Sequence, residues 1–390
     1  MYNSILGTGK VGPPVAEFAK QACSTEKGAE WLTSYLDPAH GSCDTYPDED
    51  NNYSFALQSK FNFTIGYSDF VSENYKGTSL PENITFTIYA TPFADMPLCI
   101  YGAFYPANAS AAVYKYVFVV DSSFQTQCSK LTEFRAMYKG FTCTYSGNMY
   151  NNEGVMTVSQ YMLTPELIND PDSGYNYWNI DAFNELPKTS GDIARCNRDY
   201  LSYRQDQGCY CSQKIAGSRS EYHRRTKGQT YWGAGSDEVC TTWGNQLTSQ
   251  TATSAVSTYY YSNLSWIVCN ISGLNINQSL NLSVYGGYQC HFSYSSGMNV
   301  FQTNKSYLDM AAIEASSQLS ASIPCIYPSS YNDFKSVWRK IKNFFGSQHG
   351  RLLVDTISTI AGPYGGLISA AGDFIASLFV CCITEHFHGN

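Results

Sequence analysis

The chain has 390 residues, only 14% of them charged, and a formal net charge of −8 at pH 7. This acidic balance argues against a protein that binds nucleic acid with its whole surface. Aromatic residues make up 15% of the chain, and 32 residues are tyrosines. Because Tyr, Thr, Val and Phe favour strands while Gly, Ser and Asn favour turns, the composition predicts a mainly β protein. The length allows one large β domain with extensions, or two domains.

The first segment, residues 1–50, is predicted to be partly helical. Its apolar residues between Val15 and Tyr35 fit one or two short helices. Pro38 and Pro47 predict extended or turn segments after these helices. We expect the nearby His40 to pack or to form hydrogen bonds rather than to bind a ligand.

The hydrophobic pattern changes after residue 51 to the alternation that is typical of strands. A β domain is therefore predicted over residues 51–330, with a helix at Leu308–Leu319 near its end. The predicted strands are Ser54–Tyr67, Ile84–Ala90, Val113–Val120, Gly140–Tyr145, Gly154–Gln160, Trp266–Ile271, Leu280–Tyr285 and Tyr288–Tyr294. We expect Gly140–Tyr145 and Gly154–Gln160 to pair with each other across an Asn-rich loop. Short strands separated by turn signals predict an antiparallel sandwich or barrel.

Residues 165–250 interrupt this rhythm and are predicted to form a loop-rich insertion or projection. Within them, the stretch from Arg195 to Lys227 contains eight Lys and Arg residues interleaved with tyrosines. Such a stretch is compatible with a nucleic-acid patch. Its acidic residues dilute the charge, so a solvated, elaborated loop is the favoured interpretation.

Two groups of residues bear on the compartment in which the protein works. The first residues lack the basic and apolar regions of a signal peptide, so reduced or buried thiols are the default expectation for the 14 cysteines. The chain also contains nine Asn-x-Ser/Thr sequons, which favour a glycoprotein if the chain is exported. The sequons are Asn52, Asn62, Asn83, Asn108, Asn263, Asn270, Asn277, Asn281 and Asn304.

No sequence motif indicates an enzyme. The chain has no Gly-x-Ser-x-Gly elbow, no phosphate-binding Gly-Lys-Ser/Thr loop and no His-Glu-x-x-His pair. Its six histidines are scattered, and its carboxylates form no obvious acid–base pair along the sequence. We therefore expect no catalytic activity and assign no catalytic residue.

The last segment, residues 331–390, is predicted to form an amphipathic and apolar helical tail. Asp333 suits the first turn of a helix, and Gly346 suits its end. Asp355 and Asp373 interrupt the apolar runs that follow, so a transmembrane helix is not predicted. The pattern fits a membrane-active segment and fits a helix packed on a core equally well. The candidate membrane-facing positions are Phe334, Val337, Trp338, Ile341, Phe344, Phe345, Leu367 and Phe374.

Three stretches resemble the coat proteins of small non-enveloped icosahedral viruses of the noda-like and bacilladna-like groups. The first joins Trp31-Leu32 to Leu36-Asp37-Pro38-Ala39-His40 and Tyr46-Pro47-Asp48. The second is Tyr138-Lys139-Gly140-Phe141-Thr142 followed by Gly154-Val155-Met156-Thr157-Val158-Ser159-Gln160. The third runs from Ser330-Tyr331-Asn332-Asp333-Phe334 through Trp338-Arg339-Lys340-Ile341 to Gly362-Pro363-Tyr364-Gly365-Gly366. The resemblance touches the start, middle and end of the chain and leaves residues 165–250 uncovered.

The resemblance implies a single eight-stranded antiparallel jelly roll of the viral coat type, with the insertion and the helical tail attached. It also implies that many copies assemble into a T=3 shell around a genome of RNA or single-stranded DNA. Residues 1–50 and the tail then lie on the inner face, and the tail meets the host membrane during entry. The basic tail residues expected to face the nucleic acid are Lys335, Arg339, Lys340, Lys342 and Arg351.

Two features depart from the pattern of these coats, and one cofactor is expected. Residues 1–50 contain no arginine-rich arm, and Asn108-Ala109, the one Asn-Ala bond, is far from the tail, so self-cleavage is not predicted. Carboxylate oxygens suit Ca²⁺, and Asp37, Asp48 and Asp95 are the candidate calcium ligands between subunits. We expect no other cofactor.

The sequence thus favours a structural capsid protein, located in the virion and, during assembly, in the host cell. Its expected partners are further copies of itself, the viral genome, a host membrane and an unidentified host receptor. The alternative is a secreted or surface β-rich glycoprotein that acts as an adhesin or pore-former. The nine sequons and the many Tyr and Cys residues support this alternative.

Overall fold

The computed structural model describes residues 16–327 with short gaps. The gaps are 17–18, 21, 50–53, 148–153, 164–165, 171–174, 180–184, 198–199, 218, 227, 230–238, 244–249, 253–256, 294–306 and 323–325. The predicted tail, residues 331–390, lies outside the described residues, together with all of its proposed membrane-facing and basic positions. Within the described part, no helix is long and apolar enough to cross a membrane.

Helices are few and short in the described part of the chain. The α-helices are α1 Glu26–Leu36, α2 Tyr67–Phe70, α3 Ser122–Gln127, α4 Ser190–Cys196 and α5 Met310–Ser322. A 3-10 turn at Pro38–His40 follows α1, where Pro38 ends the α-helical path. Helix α1 begins at Glu26 because the Thr25 hydroxyl accepts a hydrogen bond from the Gly28 amide at 2.9 Å.

Strands dominate the described residues, as the composition predicts. They are β1 Phe55–Gly66, β2 Asn83–Ala90, β3 Leu98–Phe104, β4 Val113–Val119, β5 Leu131–Ser146, β6 Val155–Tyr161, β7 Glu166–Asp170, β8 Tyr175–Asn179, β9 Leu201–Arg204, β10 Cys209–Ser212, β11 His223–Arg224, β12 Gly228–Gln229, β13 Val239–Trp243, β14 Gln250–Ala252, β15 Ser257–Thr258, β16 Trp266–Asn275, β17 Ser279–Phe292 and β18 Ile326–Tyr327.

Two large sheets form the body of the molecule. The first has the strand order β1-β17-β5-β10-β18, with β11 also paired to β5, and all of its pairs are antiparallel. The second has the order β14-β13-β4-β3-β2-β16-β6-β9, in which only the β13–β4 pair is parallel. A small third sheet has the order β15-β12-β8-β7. Three of its strands, β7, β8 and β12, come from the region predicted to be an insertion, and β15 follows that region.

The main core lies between the two large sheets. Alternate residues of β1, among them Phe61, Phe63 and Ile65, point into it and are buried, while Asn62 and Thr64 between them are exposed. Ile88 and Ile271 meet them from the second sheet. The period-two pattern of the sequence therefore reports which face of each strand is buried.

A helical layer, made of α1 and α5, covers the outer face of the first sheet. Trp31 and Leu32 of α1 and Ala312 of α5 are fully buried in one apolar cluster with Met137 of β5. The two helices come from opposite ends of the described chain. The first sheet is therefore covered on both faces where the layer lies, by the main core and by the helices.

Two predictions about the strands differ from the structure. The strands predicted at Gly140–Tyr145 and Gly154–Gln160 do not pair: β5 bonds to β17 and β10, whereas β6 bonds to β16 and β9 of the other sheet. The strands predicted at Leu280–Tyr285 and Tyr288–Tyr294 are one strand, β17, because the chain continues through Gly286 and Gly287 without a turn. Alternation reveals the buried face of a strand and carries no information on its partner.

The region predicted to be loop-rich, residues 165–250, contains several strands. Two of them, β9 and β10, complete the second and first sheets respectively. The others are two to five residues long, too short for their alternation to stand out in the sequence.

Candidate functional site

The N-terminal segment, residues 25–48, docks on β5 and brings two of the sequence motifs together. The indole nitrogen of Trp31 donates a hydrogen bond to the carbonyl oxygen of Met137 at 2.9 Å. The Trp31 ring also packs edge-on against Tyr46, with 4.9 Å between ring centroids. A Cβ atom on Gly140 would lie 2.7 Å from Cβ of Pro38, so the first and second resemblance motifs are in direct contact.

Asp37 holds the turn after α1 onto β10. One carboxylate oxygen accepts a hydrogen bond from the Tyr210 hydroxyl at 2.7 Å, and the other lies 2.8 Å from Nδ1 of His40. The hydrogen bond to Asp37 raises the pKa of His40 above its ordinary value, against the opposing effect of burial. Burial and the nearby Asp37 charge raise the pKa of Tyr210. His40 therefore has the packing and hydrogen-bonding place that the sequence predicts for it.

Asp48 anchors the end of the docked segment through a buried arginine. Its carboxylate pairs with both terminal nitrogens of Arg135, with 2.7 Å from Nη2 to Oδ1. Arg135 also donates to Oε1 of Gln289 at 2.7 and 3.0 Å. The guanidinium lies between the rings of Tyr46 and Tyr222, 4.7 and 4.2 Å from their centroids. Arginine suits this position because a planar fork can stack and bind a carboxylate at once.

A second buried cation joins β5 to the opposite sheet. The amine of Lys139 donates hydrogen bonds to the carbonyl oxygens of Thr91 and Phe93, each at 2.7 Å. These carbonyls belong to the turn between β2 and β3. Burial lowers the pKa of Lys139 to about 7, with the charge of Asp95 acting in the opposite direction. A neutral amine still offers two donors, so both carbonyls stay satisfied in either protonation state.

Asp95 lies in the interior and is saturated by donors. It accepts hydrogen bonds from the Thr258 hydroxyl at 2.5 Å, the Tyr259 amide at 2.9 Å and Nε2 of Gln125 at 2.9 Å. Burial raises the pKa of its carboxyl, although these hydrogen bonds oppose the effect. Its carboxylate serves to hold α3 and β15 against the β2–β3 turn.

The three candidate calcium ligands, Asp37, Asp48 and Asp95, are not brought together. Each belongs to a separate hydrogen-bond network. Within the part of the chain that the structure describes, no group of three or more His, Cys, Asp or Glu side chains is arranged to hold a metal ion. Calcium bound between subunits needs ligands from a second copy, and it stays a prediction.

Several sequons have structural roles. The Thr64 hydroxyl donates to Oδ1 of Asn281 at 2.9 Å, and the Ser283 hydroxyl donates to Oδ1 of Asn62 at 2.8 Å. The side chains of two sequons on neighbouring strands thus form hydrogen bonds with each other. The alternation of Asn with Ser or Thr on an exposed strand face produces the sequon spacing without any glycan.

Two further sequons are buried. Asn270 is 1% exposed and donates to Oγ1 of Thr87 at 2.8 Å. Asn263 is 8% exposed and donates to the carbonyl oxygens of Ala216 and Arg219. A glycan on either amide nitrogen would remove these contacts. This weakens the sequon argument for the glycoprotein alternative.

Arg135 and Lys139 are the central residues that sequence analysis missed. A charged residue inside an apolar strand was the available signal for both, since each stands among buried residues of β5. Their partners are 87 and 48 residues away in the chain, so no local spacing identifies them.

No protein-family model matches the chain, and no curated protein matches it. The fold is similar to that of a solved viral capsid structure. This structure is the T13 particle of infectious bursal disease virus, with a TM-score of 0.50 and 9% sequence identity, covering 85% of this chain and 98% of that chain.

Two further solved structures show weaker likeness. The VP2 subviral particle of infectious bursal disease virus has a TM-score of 0.48 and 9% identity, over 79% of this chain and 99% of that chain. The decameric BFDV capsid protein has a TM-score of 0.25 and 11% identity, over 61% of this chain and 98% of that chain. At 9% identity the likeness to the T13 particle concerns the fold alone, and the function must be argued separately.

Proposed function

We propose that this chain is a structural capsid protein that assembles into an icosahedral shell around a viral genome. The observation that carries the proposal is the strand order of the two large sheets. Eight strands, β1, β2, β5, β6, β9, β10, β16 and β17, form two facing groups of four: β1-β17-β5-β10 and β2-β16-β6-β9.

We infer the connectivity of a jelly roll for these eight strands. Numbered one to eight in chain order, they lie as 1-8-3-6 in one sheet and 2-7-4-5 in the other. The chain crosses between the sheets at every step except from the fourth strand to the fifth, so each sheet pairs strands that are distant in sequence. We assign the eight-stranded jelly roll of the viral coat type to this set, with the remaining strands as additions.

The strands and helices outside the eight-stranded set suggest a division of the molecule into a shell domain, a projection and an inner helical layer. We infer that the third sheet, together with β13 and β14, forms an outward projection from a shell domain over residues 51–330. The helical layer, which covers the first sheet, is assigned to the inner face with residues 1–50. The tail at 331–390 is then placed near the genome, with its basic residues on phosphates and its apolar face available for a host membrane.

The finer features of the proposal come from the resemblance in the sequence. They are membership of a noda-like or bacilladna-like group, a T=3 shell, calcium between subunits and an entry role for the tail. The helical layer supports an inner surface to which such a tail connects, because α5 ends close to the last described strand, β18.

Assembly is tested by size-exclusion chromatography of the purified full chain, followed by negative-stain electron microscopy. Closed shells of uniform diameter are expected, and their diameter reports whether the shell is T=3. Nuclease-protected nucleic acid recovered from the shells tests genome enclosure. A chain that stays monomeric across a wide range of salt and pH contradicts the proposal.

The glycoprotein alternative has a separate test. Mass spectrometry of protein from its natural source is expected to show unmodified Asn62, Asn83 and Asn281. Glycans on these residues would favour the alternative.

A further inference from the structure

Four cysteine side chains converge inside the main core. Cys143 lies on β5, Cys209 and Cys211 on β10, and Cys269 on β16 of the opposite sheet, and all four are fully buried. Cys143, Cys209 and Cys269 are free thiols in this structure. The Cys209 thiol is the common member, since the other three thiols all influence its pKa.

Strand register places one of these thiols directly opposite Cys209. In the antiparallel β5–β10 pair, Cys209 is the partner of Cys143. Directly opposite residues of antiparallel strands have Cα atoms about 4.5 or 5.5 Å apart, depending on the type of pair. Disulfides bridge Cα atoms that are about 4.4–6.8 Å apart, so both types of pair satisfy the requirement.

The other combinations do not satisfy this geometry. Cys209 and Cys211 are two residues apart on one strand, and their Cβ atoms point the same way about 6.7 Å apart, against about 4 Å in a disulfide. Cys143 and Cys211 are diagonal neighbours about 7–8 Å apart. Cys269 is on the facing sheet, and packed sheets are about 10 Å apart. Backbone movement would be needed in each of these cases.

The electrostatics of the cluster favour Cys209 as the reacting sulfur. Burial raises the pKa of its thiol, but the hydrogen bonds from the neighbouring thiols outweigh this effect and lower it below the ordinary value. The hydrogen bond with Cys209 raises the pKa of Cys143. Of the facing pair, Cys209 is therefore the sulfur that loses its proton more readily.

We propose that Cys143 and Cys209 are a disulfide site that cross-links β5 to β10 when the chain meets a small-molecule disulfide such as oxidised glutathione. The Cys209 thiolate attacks one glutathione sulfur, forms a mixed disulfide and releases a glutathione thiolate. The Cys143 sulfur then attacks Cys209, and the second glutathione leaves. The two protein thiols are oxidised to one disulfide, and their two protons leave with two molecules of reduced glutathione.

Access to the site runs through the β10 edge of the first sheet. Strand β10 has four residues, and its outer neighbour β18 has two, so this edge has few ladder hydrogen bonds to break. Once formed, the disulfide is sealed in the core and resists reduction until the edge opens again. The proposal concerns the single chain and holds whether or not shells form.

The test is peptide mass spectrometry of the full chain after exposure to oxidised glutathione in sub-denaturing urea. Free thiols are alkylated in denaturant before trypsin digestion. The expected product links the peptide 140–188, whose one cysteine is Cys143, to the peptide 205–214. Because the second peptide contains both Cys209 and Cys211, the Cys211→Ala variant is run in parallel and is expected to keep the link.

A thermal measurement gives a second readout. The disulfide closes a loop of roughly 65 residues, so the oxidised wild-type chain is expected to unfold about 5 °C above the reduced chain. The Cys143→Ala variant is expected to show no such difference, while Cys269→Ala keeps it. A cross-link through Cys211 or Cys269, or recovery of both peptides with free thiols at the most oxidising ratio, overturns the proposal.

Discussion

At the residue scale, the described interior contains charged side chains whose partners come from distant parts of the chain. Arg135 contacts Asp48, Gln289 and the rings of two tyrosines. Lys139 donates hydrogen bonds to two backbone carbonyl oxygens of the β2–β3 turn in the opposite sheet. Removing one partner of such a network leaves the others buried and unpaired, which costs more than the contact contributes. These residues are therefore sensitive reporters of the docked N-terminal segment.

Replacing Arg135 with Lys tests this network. The ammonium keeps the charge but loses the bidentate pair with Asp48 and the stacking between Tyr46 and Tyr222. We expect the free energy of unfolding to fall by about 2 kcal/mol in denaturant titrations. Arg204→Lys is the matched control, because the Arg204 side chain is 63% exposed in its pair with Asp206, and a change below about 0.5 kcal/mol is expected. Equal losses in both variants contradict the prediction.

The His40–Asp37 pair predicts a pH dependence. The pKa of His40 is raised in the folded chain, chiefly by its hydrogen bond to Asp37. Its contribution to stability is therefore fully present below the ordinary histidine pKa of about 6.5 and is lost as pH rises through the higher folded value. Thermal unfolding of wild type and His40→Gln at pH 5.5 and pH 8.5 is expected to differ most at the lower pH.

Wild type must be compared with His40→Gln because Lys139 contributes a pH dependence of stability with the opposite sign. Its folded pKa of about 7 lies below the unfolded value of about 10.4, so its contribution increases as pH rises between them. This contribution is common to both proteins and cancels in the difference. A difference that is the same at both pH values would show that His40 does not titrate against Asp37.

At the element scale, Asp309 joins the two helices of the helical layer. Its carboxylate accepts hydrogen bonds from the amide and hydroxyl of Thr25, at 2.7 and 2.8 Å, before α1. It also accepts from the Ala312 amide at 3.0 Å in the first turn of α5. One buried side chain therefore satisfies the beginning of both helices, which lie at opposite ends of the described chain.

Replacing Asp309 with Ala is expected to destabilise the layer by about 3 kcal/mol, because three donors lose their acceptor. Chemical denaturation followed by tryptophan fluorescence measures the change, since Trp31 lies in the layer. Glu314→Ala is the control on the same helix. Its carboxylate bonds to Gln318 one turn away, and a change below about 0.5 kcal/mol is expected. A loss below about 0.5 kcal/mol in Asp309→Ala would contradict the role of Asp309 in linking the two helices.

Close approach of the Pro38–His40 turn to β5 depends on Gly140. A Cβ atom there would lie 2.7 Å from Cβ of Pro38 and 3.1 Å from the carbonyl oxygen of Cys211. Gly140→Ala is therefore expected to cost about 2 kcal/mol of stability. Gly191→Ala in α4, where the nearest atom is 3.7 Å away, is expected to be neutral or stabilising. Thermal unfolding compares the two, and a tolerated Gly140→Ala would contradict the packing argument.

At the scale of the whole molecule, the first sheet holds together elements from both ends of the described chain. Strand β1 near the start pairs with β17 near the end along twelve register positions, and α1 packs with α5 over the same sheet. Both described ends are thus fixed to one face.

The tail prediction is tested with a peptide covering Asp333–Phe379. We expect it to become helical on anionic liposomes and to release their contents. Replacing Trp338 and Phe345 with Ala should weaken binding by about 3 kcal/mol, because each buries a large aromatic surface. A peptide with Ser336 replaced by Ala is the control. Unchanged leakage in the double variant would favour a plain packing role for this segment.

The sequence by itself determined the mainly β class, the strands with strong alternation and one helix. It located β1, β2, β4 and β16 and, within two or three residues, helix α5, because side chains on alternate positions must choose between core and solvent. It also indicated that the motif around Trp31 and Asp37 matters, though not what these residues bind.

The tertiary structure decided which strands pair and which buried charges meet. In the folded chain β5 and β6 lie in different sheets, and β9 and β10 belong to the main sheets. Asp48 pairs with Arg135, and Cys143 lies opposite Cys209. All of these pairings join residues far apart in the chain. A local pattern records the environment of each residue and not the identity of its neighbour, so only the folded chain specifies these contacts.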